Sequence, residues 1–318
     1  MSDIKTVIST IRQAKTIAIS GHVNPDGDSL GSLLALGLAL KKSGKRVHML
    51  CLDRIPKRYF SLPGIQLIEK TVSEPLDLAI AVDCSNKETL GGAFAILAKA
   101  KKIMEIDHHE FRRPFGQVSF IEHKAAAVGE LIYRLIDLLK IKIDVSIAQN
   151  LMTSIIVETN SFRLPNVNAF TFAACERLMQ NRKVNFYKLV DAVFWSRSKE
   201  MVILSGICLA RCQFRKNNRV AWSIIRQKDF RKVKGDDADV DAVADEIRAI
   251  QGVEIAILFR EKIKGTLRVS LRSKGKINIA KIAEYYGGGG HFDVAGCSIK
   301  NDPLIINQLL EKASLLLD

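Results

Sequence analysis

Apolar and polar positions change period several times along this chain, and each change marks an element. TIAIS (residues 16–20) is apolar and rich in β-branched side chains, as a strand should be, and SLGSLLALGLALKKSG follows with a helical pattern that Gly44 stops. LDLAIAVDCSN (76–86) is a second apolar run, closing on Asp83, and KKIMEIDHHE (101–110) is a third, closing on Asp107, His108 and His109. Helical patterns then run through GELIYRLIDLLK, VSIAQNLMTSIIVE and residues 170–180, and NRKVNFYKLVDAVFWSRSKEMVILSGICLA reads as a connector carrying helices. RVAWSIIR, GVEIAILFRE and GTLRVSLRSK restart a strand-rich pattern with helices between them. The pattern predicts an α/β protein of two domains, 1–200 with a mainly parallel sheet flanked by helices and 201–318 as a smaller α/β domain.

The polar residues at the ends of these runs carry chemistry. His22, Asp26 and Asp28 follow the first strand at once, in HVNPDGDSLGS, so three strand ends deliver carboxylates and imidazoles to one edge of the sheet. In open α/β sheets that edge is where ligands bind. Such groups can hold two divalent cations roughly 3.5 to 4 Å apart, a pair that clamps the attacking and leaving oxygens of a phosphoryl displacement. Taken alone, Asp83 would read as a turn or helix cap. His48 and His123 have no such neighbours and read as ordinary strand or surface histidines.

HVNPDGDSLGS, VDCSN and IDHH, in this order and spacing, resemble the DHH phosphoesterase superfamily. With GGGGHFDVAG near the C-terminus, the chain looks most like the NrnA-type oligoribonucleases of that superfamily, which also dephosphorylate 3'-phosphoadenosine 5'-phosphate. The resemblance implies a DHH domain, a C-terminal DHH-associated domain and an active site in the cleft between them. It makes His22 and Asp26 ligands of one metal ion, Asp28 and His108 ligands of a second, and Asp83 the bridge. It turns His109 to the substrate phosphate as a catalytic group and leaves Asp107 to orient the histidines. The implied cofactor is a pair of divalent cations, manganese first and magnesium second, acting through metal-activated water. Short RNA, other short oligonucleotides and 3'-phosphoadenosine 5'-phosphate are the implied partners, and a homodimer is open to it. Linear dinucleotides are an alternative substrate.

One position departs from the family pattern. Where an aspartate followed by Thr-Gly is expected, this chain has Glu158, Thr159 and Asn160; retained ligation is the expectation, with the longer Glu158 side chain folding back or binding in a different mode. A nucleotide-binding protein with weakened catalysis is the rival reading of that change. Near the C-terminus, the resemblance makes the SLRS segment and the glycine run at 287–290 a substrate-binding face, which implies Arg272 and His291, with Ser270 and Gly289 as secondary candidates, at the phosphate or terminal base end of the nucleotide. Consecutive backbone N–H groups in such a run can form an anion nest.

Composition narrows the picture. The 318 residues are 47% hydrophobic and 26% charged, ordinary for a soluble globular protein. No segment reaches the ~18 consecutive apolar residues of a membrane span, so a cytoplasmic protein without membrane contact is expected. Six scattered cysteines without CxxC spacing read as reduced core thiols. Net charge is +14, and nine Lys/Arg residues crowd 211–234 against Asp229 alone, which suits polyanionic partners without specifying one. The following DDADVDAVADEIRAI reads as the first turns of a helix rather than a calcium loop.

Overall fold

The computed structural model describes residues 3–180, 183–235, 237–240, 242–262, 265–290 and 292–317. They form two compact units, Met1–Ser196 and Arg197–Asp318. The first holds α1 (Ile4–Gln13), β1 (Thr16–Ser20), α2 (Gly27–Lys42), β2 (Arg46–Leu50), β3 (Ile68–Glu69), β4 (Leu78–Val82), α3 (Ala93–Leu97), β5 (Ile103–Asp107), β6 (Val118–Ile121), α4 (Val128–Leu138), α5 (Val145–Glu158), α6 (Ala169–Met179) and α7 (Phe186–Val190).

Its six strands pair in parallel in the order β3-β2-β1-β4-β5-β6. A parallel sheet is covered on both faces, which is why its strands read as continuous apolar runs. Ile17 and Ile19 enter a core shared with α2, α4 and α5, while Ala18, Ala79 and Ala81 enter a smaller one with Leu90 and Leu97. The strand order reverses between β1 and β4, so the carboxyl ends of β1, β4 and β5 are neighbours at the switch point.

Helix α2 is buried almost all round, as its unbroken run of Leu, Ala, Gly and Ser requires. It lies close against α5 because Gly31 has no side chain: a Cβ there would come 2.5 Å from the Asn150 carbonyl oxygen and 2.9 Å from the Ser154 nitrogen.

The second unit holds α8 (Lys199–Ala210), β7 (Gln213–Arg215), β8 (Val220–Ile225), α9 (Gln227–Val233), α10 (Val243–Arg248), β9 (Ile255–Lys262), β10 (Thr266–Ser273), α11 (Ala280–Tyr285), β11 (Gly289–Gly290), β12 (Val294–Lys300) and α12 (Pro303–Leu315). Its sheet runs β11-β12-β10-β9-β8-β7, antiparallel except for the β8–β9 pair. Phe259, Val269 and Leu271 pack with Ala283, Leu309 and Leu310 on one face, and Ala256 and Leu258 pack with Leu204, Val243 and Ile247 on the other.

The glycine run belongs to this sheet. Gly289 and Gly290 pair with Gly296 and Ala295, and a Cβ on Gly288 would come 2.1 Å from the Gly296 carbonyl oxygen. Close packing of strands therefore needs glycine at 288, independent of any ligand. In the acidic stretch, a short 3-10 turn (Asp237–Val240) precedes α10, and Asp237 accepts from Lys262 at 2.6 Å and from Arg260 and Arg268 at 3.3 Å. All six cysteines are free thiols and five of them are buried. No helix among the described residues is long and apolar enough to cross a membrane.

Candidate metal centre

Each strand end shapes its own ligands. After β1 the chain turns through Asn24, whose left-handed φ of 52° is held by its N–H donating to the Asp53 carboxylate at 2.6 Å. That turn places His22 and Asp26 four residues apart. The His22 ring donates Nδ1–H to the Val23 carbonyl at 2.8 Å, which turns Nε2 toward Asp26 at 3.6 Å and Asp83 at 3.4 Å. Asp26 is also the N-cap of α2 and accepts from the Ser29 N–H at 2.9 Å.

Asp83 follows β4 with a left-handed φ of 59°, a strained backbone that aspartate tolerates better than most residues. Its carboxylate, 4% exposed, faces two ways. One oxygen lies toward His22, and the other lies 3.9 Å from His108 Nε2 and 3.7 Å from His109 Nδ1. His108 is fixed like His22, with Nδ1–H donated to the Ala125 carbonyl at 3.0 Å. Its Nε2 is buried with no hydrogen-bond partner and points among Asp28, Asp83 and Glu158, at 4.0, 3.9 and 3.6 Å.

Asp28 is fully buried on α2. It accepts from Ser154 Oγ at 2.6 Å and Ser32 Oγ at 3.1 Å, and from the Val128 and Gly129 N–H groups at 2.9 and 3.3 Å. The last two are the first amides of α4, whose positive end favours an anion. Glu158 ends α5. Asn160 beyond it takes a φ of 46°, so asparagine makes the left-handed turn where the family pattern has glycine, and Arg163 clamps that turn through the Asn160 side chain and carbonyl at 2.7 and 2.8 Å.

The sequence candidates thus gather into three overlapping groups: His22, Asp26 and Asp83; Asp28, His108 and Glu158; and Asp83, His108 and His109, with potential ligand atoms in each lying within 4.8 Å of one another. Electrostatics points the same way. Burial and the charges of Asp28, Asp26 and Asp83 push Glu158 well above the usual carboxylate range. Burial and Asp83 push Asp28 up to about 7. Burial opposes a charged His22, but Asp26 and Asp83 raise it to about 12, and against its own burial Asp26 is held by His22 at about 2. Among the described residues, four carboxylates share this space with histidines as their only cationic partners, and a buried imidazole nitrogen lacks a donor: the donor set of a site for divalent cations.

A fifth carboxylate, Asp107, stands behind the centre. One of its oxygens accepts His109 Nδ1–H at 2.6 Å and the other accepts Arg112 Nε–H at 2.6 Å. Burial opposes its charge, yet His109 and Arg112 hold it well below the usual carboxylate range. Sequence reading missed Ser32 and Arg112, which lie one helical turn beyond Asp28 and three residues beyond His109, and Ser154 and Asp53, which act from elements far along the chain. His123, read as an ordinary histidine, is exposed and lies with Nδ1 3.3 Å from the His108 carbonyl. His48 sits in β2 between Glu69 and Glu74, at 2.8 and 2.7 Å.

The C-terminal candidates belong to the second unit and have partners within it. Arg272 Nε donates to Asp245 at 3.1 Å, the Ser270 hydroxyl accepts from the buried Arg260 at 2.9 Å, and Gly289 is exposed in β11. Alternation along β10 sets Arg268, Ser270 and Arg272 on one face of the sheet. His291 lies outside the described residues.

The model of the DHH family N-terminal domain matches residues 16–157, and that of the DHHA1 domain matches 217–317. The chain belongs to the DHH family. It is 27% identical over 303 residues to the bifunctional oligoribonuclease and PAP phosphatase NrnA of Thermus thermophilus, covering 93% of this chain and 87% of that protein. Among solved structures, an exopolyphosphatase-related protein from Bacteroides fragilis matches with a TM-score of 0.90 at 21% identity, over 99% of this chain and 97% of that one. Exonuclease RecJ bound to manganese matches with a TM-score of 0.57 at 14% identity, over 98% of this chain and 93% of that one. With this family and relative, the DHH protein described here is a hydrolase.

Proposed function

We propose that this DHH protein hydrolyses phosphate esters in short oligoribonucleotides, releasing mononucleotides, and converts 3'-phosphoadenosine 5'-phosphate to AMP. The observation that carries this reading is the Asp83 carboxylate, which offers one oxygen to the His22/Asp26 side and the other to the His108/His109 side. His22 and Asp26 would hold one divalent cation, Asp28, His108 and Glu158 a second, and Asp83 would join them. Bound there, the cations would supply Lewis acidity and an activated water for attack on phosphorus.

The chain's own residues do the rest. Backbone carbonyls of Val23 and Ala125 fix the tautomers of His22 and His108, so both present Nε2 inward. His109, held by Asp107, would meet the substrate phosphate and balance charge on its oxygens. Arg272, Gly289 and His291, with Ser270 secured against Arg260, would take the far end of the nucleotide. Oxygen and imidazole donors with no thiolate favour manganese, then magnesium, over softer metals; Cys84 beside Asp83 turns its thiol to the Val82 carbonyl at 3.3 Å. The manganese bound to RecJ and the substrates in the name of the Thermus relative support the same choice. We place the protein in the cytoplasm, where such substrates arise, and allow a homodimer.

The test is purified protein with manganese against end-labelled di- to decaribonucleotides and 3'-phosphoadenosine 5'-phosphate. Mononucleotide release and AMP formation are expected from the parent. Asp83→Asn should keep the left-handed backbone yet lose at least about a hundredfold in kcat and bind less manganese. Nucleotide binding without turnover in the parent would instead make it a binding protein.

A further inference from the structure

Strand β5 turns Glu105 and Asp107 to the same side, two residues apart, and buries both, at 1% and 0% exposure. Two buried carboxylates so placed need a shared cation. Arg112 provides it by folding back from the loop after the two histidines: Nη2 donates to Glu105 at 2.9 Å and Nε to Asp107 at 2.6 Å, and the arginine side chain is only 8% exposed. Glu105 is anchored in turn by the Phe115 and Gly116 N–H groups, at 3.3 and 3.1 Å. The Asp107 oxygen not used by Arg112 grips His109 Nδ1 at 2.6 Å and the His108 N–H at 2.9 Å.

We propose that Arg112 is a positioning residue for His109, acting through Asp107. The planar guanidinium fixes the plane of the Asp107 carboxylate, and that plane sets the direction in which the His109 ring points. A competing acceptor is close by, since Asp83 Oδ1 lies 3.7 Å from the same His109 nitrogen. With Asp107 free to turn, the ring can swing to Asp83, which removes His109 from the phosphate and occupies an oxygen of the central carboxylate. The chain Glu105–Arg112–Asp107–His109 keeps the two apart. Lysine at 112 would preserve the charge but not the fork that holds two carboxylates at once.

The proposal rests on the hydrolytic reading above, so its experiment has one arm that needs substrate and one that does not. With manganese and dinucleotide, Arg112→Lys is expected to lower kcat by roughly 10- to 100-fold with KM within about threefold of the parent. In metal-free protein labelled with nitrogen-15 at histidine, the low-field proton of the His109 Nδ1–H···Asp107 bond, assigned by its absence from His109→Asn, should be present in the parent and weakened or lost in Arg112→Lys. Arg112→Gln should do the same more severely; where it fails to fold, Arg112→Lys alone decides. Parental kcat in a folded Arg112→Lys variant overturns the proposal, and so does a loss of kcat with an unchanged His109 resonance. A parent that hydrolyses none of the substrates overturns the hydrolytic reading, while the resonance still reports whether Arg112 holds His109.

Discussion

Glu158 is the residue at which this chain leaves its family's pattern, and its surroundings explain how the change is accommodated. It stands at the last position of α5 with a carboxylate oxygen 3.6 Å from His108 Nε2, and the turn beyond it keeps a left-handed residue at Asn160 where glycine is usual. The longer side chain still reaches the group, at the cost of ordering one more rotatable bond. Glu158→Ala is expected to lower kcat roughly a hundredfold and to empty one manganese site before the other, since ligand misplacement of about 1 Å has effects of that order. Glu158→Asp keeps the charge and should stay within about tenfold of the parent. Metal content and kinetics across manganese concentration decide it, and parental behaviour of Glu158→Ala in both would remove Glu158 from the centre.

Helices α2, α4 and α5 act together as the holder of Asp28. Gly31 lets α2 approach α5 closely enough for Ser154 to reach Asp28, and the first amides of α4 complete its acceptor positions. Gly31→Ala must push these helices apart, because the added methyl would sit 2.5 Å from a backbone oxygen. Overpacking of this kind costs about 1–3 kcal/mol, which for a unit of this size lowers the thermal midpoint by roughly 2 to 10 °C. Manganese affinity should fall with it as Ser154 withdraws from Asp28. A Gly31→Ala protein that melts with the parent would show that the helices are not held this close.

The whole molecule carries an excess of positive charge, +14, yet its candidate metal centre is a concentration of carboxylates, with Asp28 and Asp83 buried and Asp26 and Glu158 half-buried. This gives the metal-free protein a definite pH dependence. Asp28, raised to about 7, and Glu158, raised well above its usual value, hold protons in the folded state that the unfolded chain has released. Stability from such groups is full below the unfolded pKa and is lost as pH rises through the folded one; His22, raised to about 12, acts in the same sense. Asp26, lowered to about 2, contributes stability that is lost only as pH falls below the carboxylate range. Between about pH 5 and about pH 8 the thermal midpoint of the metal-free protein should therefore fall, and saturating manganese should raise the midpoint and flatten that fall. Thermal scans across this range with and without the metal check it, and a metal-free midpoint that rises with pH would contradict the account.

Local order along the chain determined a good deal on its own. Apolar runs of strand length that end abruptly in His22, Asp83 and His108 specify buried strands with polar carboxyl ends, because period and burial are properties of neighbouring residues. The family pattern added roles to those ends and picked out Glu158 as the position of change. Tertiary structure decided what only distance can: that one Asp83 carboxylate faces both clusters, that Ser154 and the start of α4 hold Asp28, and that Arg112 joins Glu105 to Asp107. It also gave the glycine run a packing task at Gly288, against the neighbouring strand at Gly296, and tied Arg272 of β10 to Asp245 of α10. Hydrogen bonds of this kind depend on which backbones the sheet order and helix packing bring together, and neither periodicity nor composition encodes that choice residue by residue.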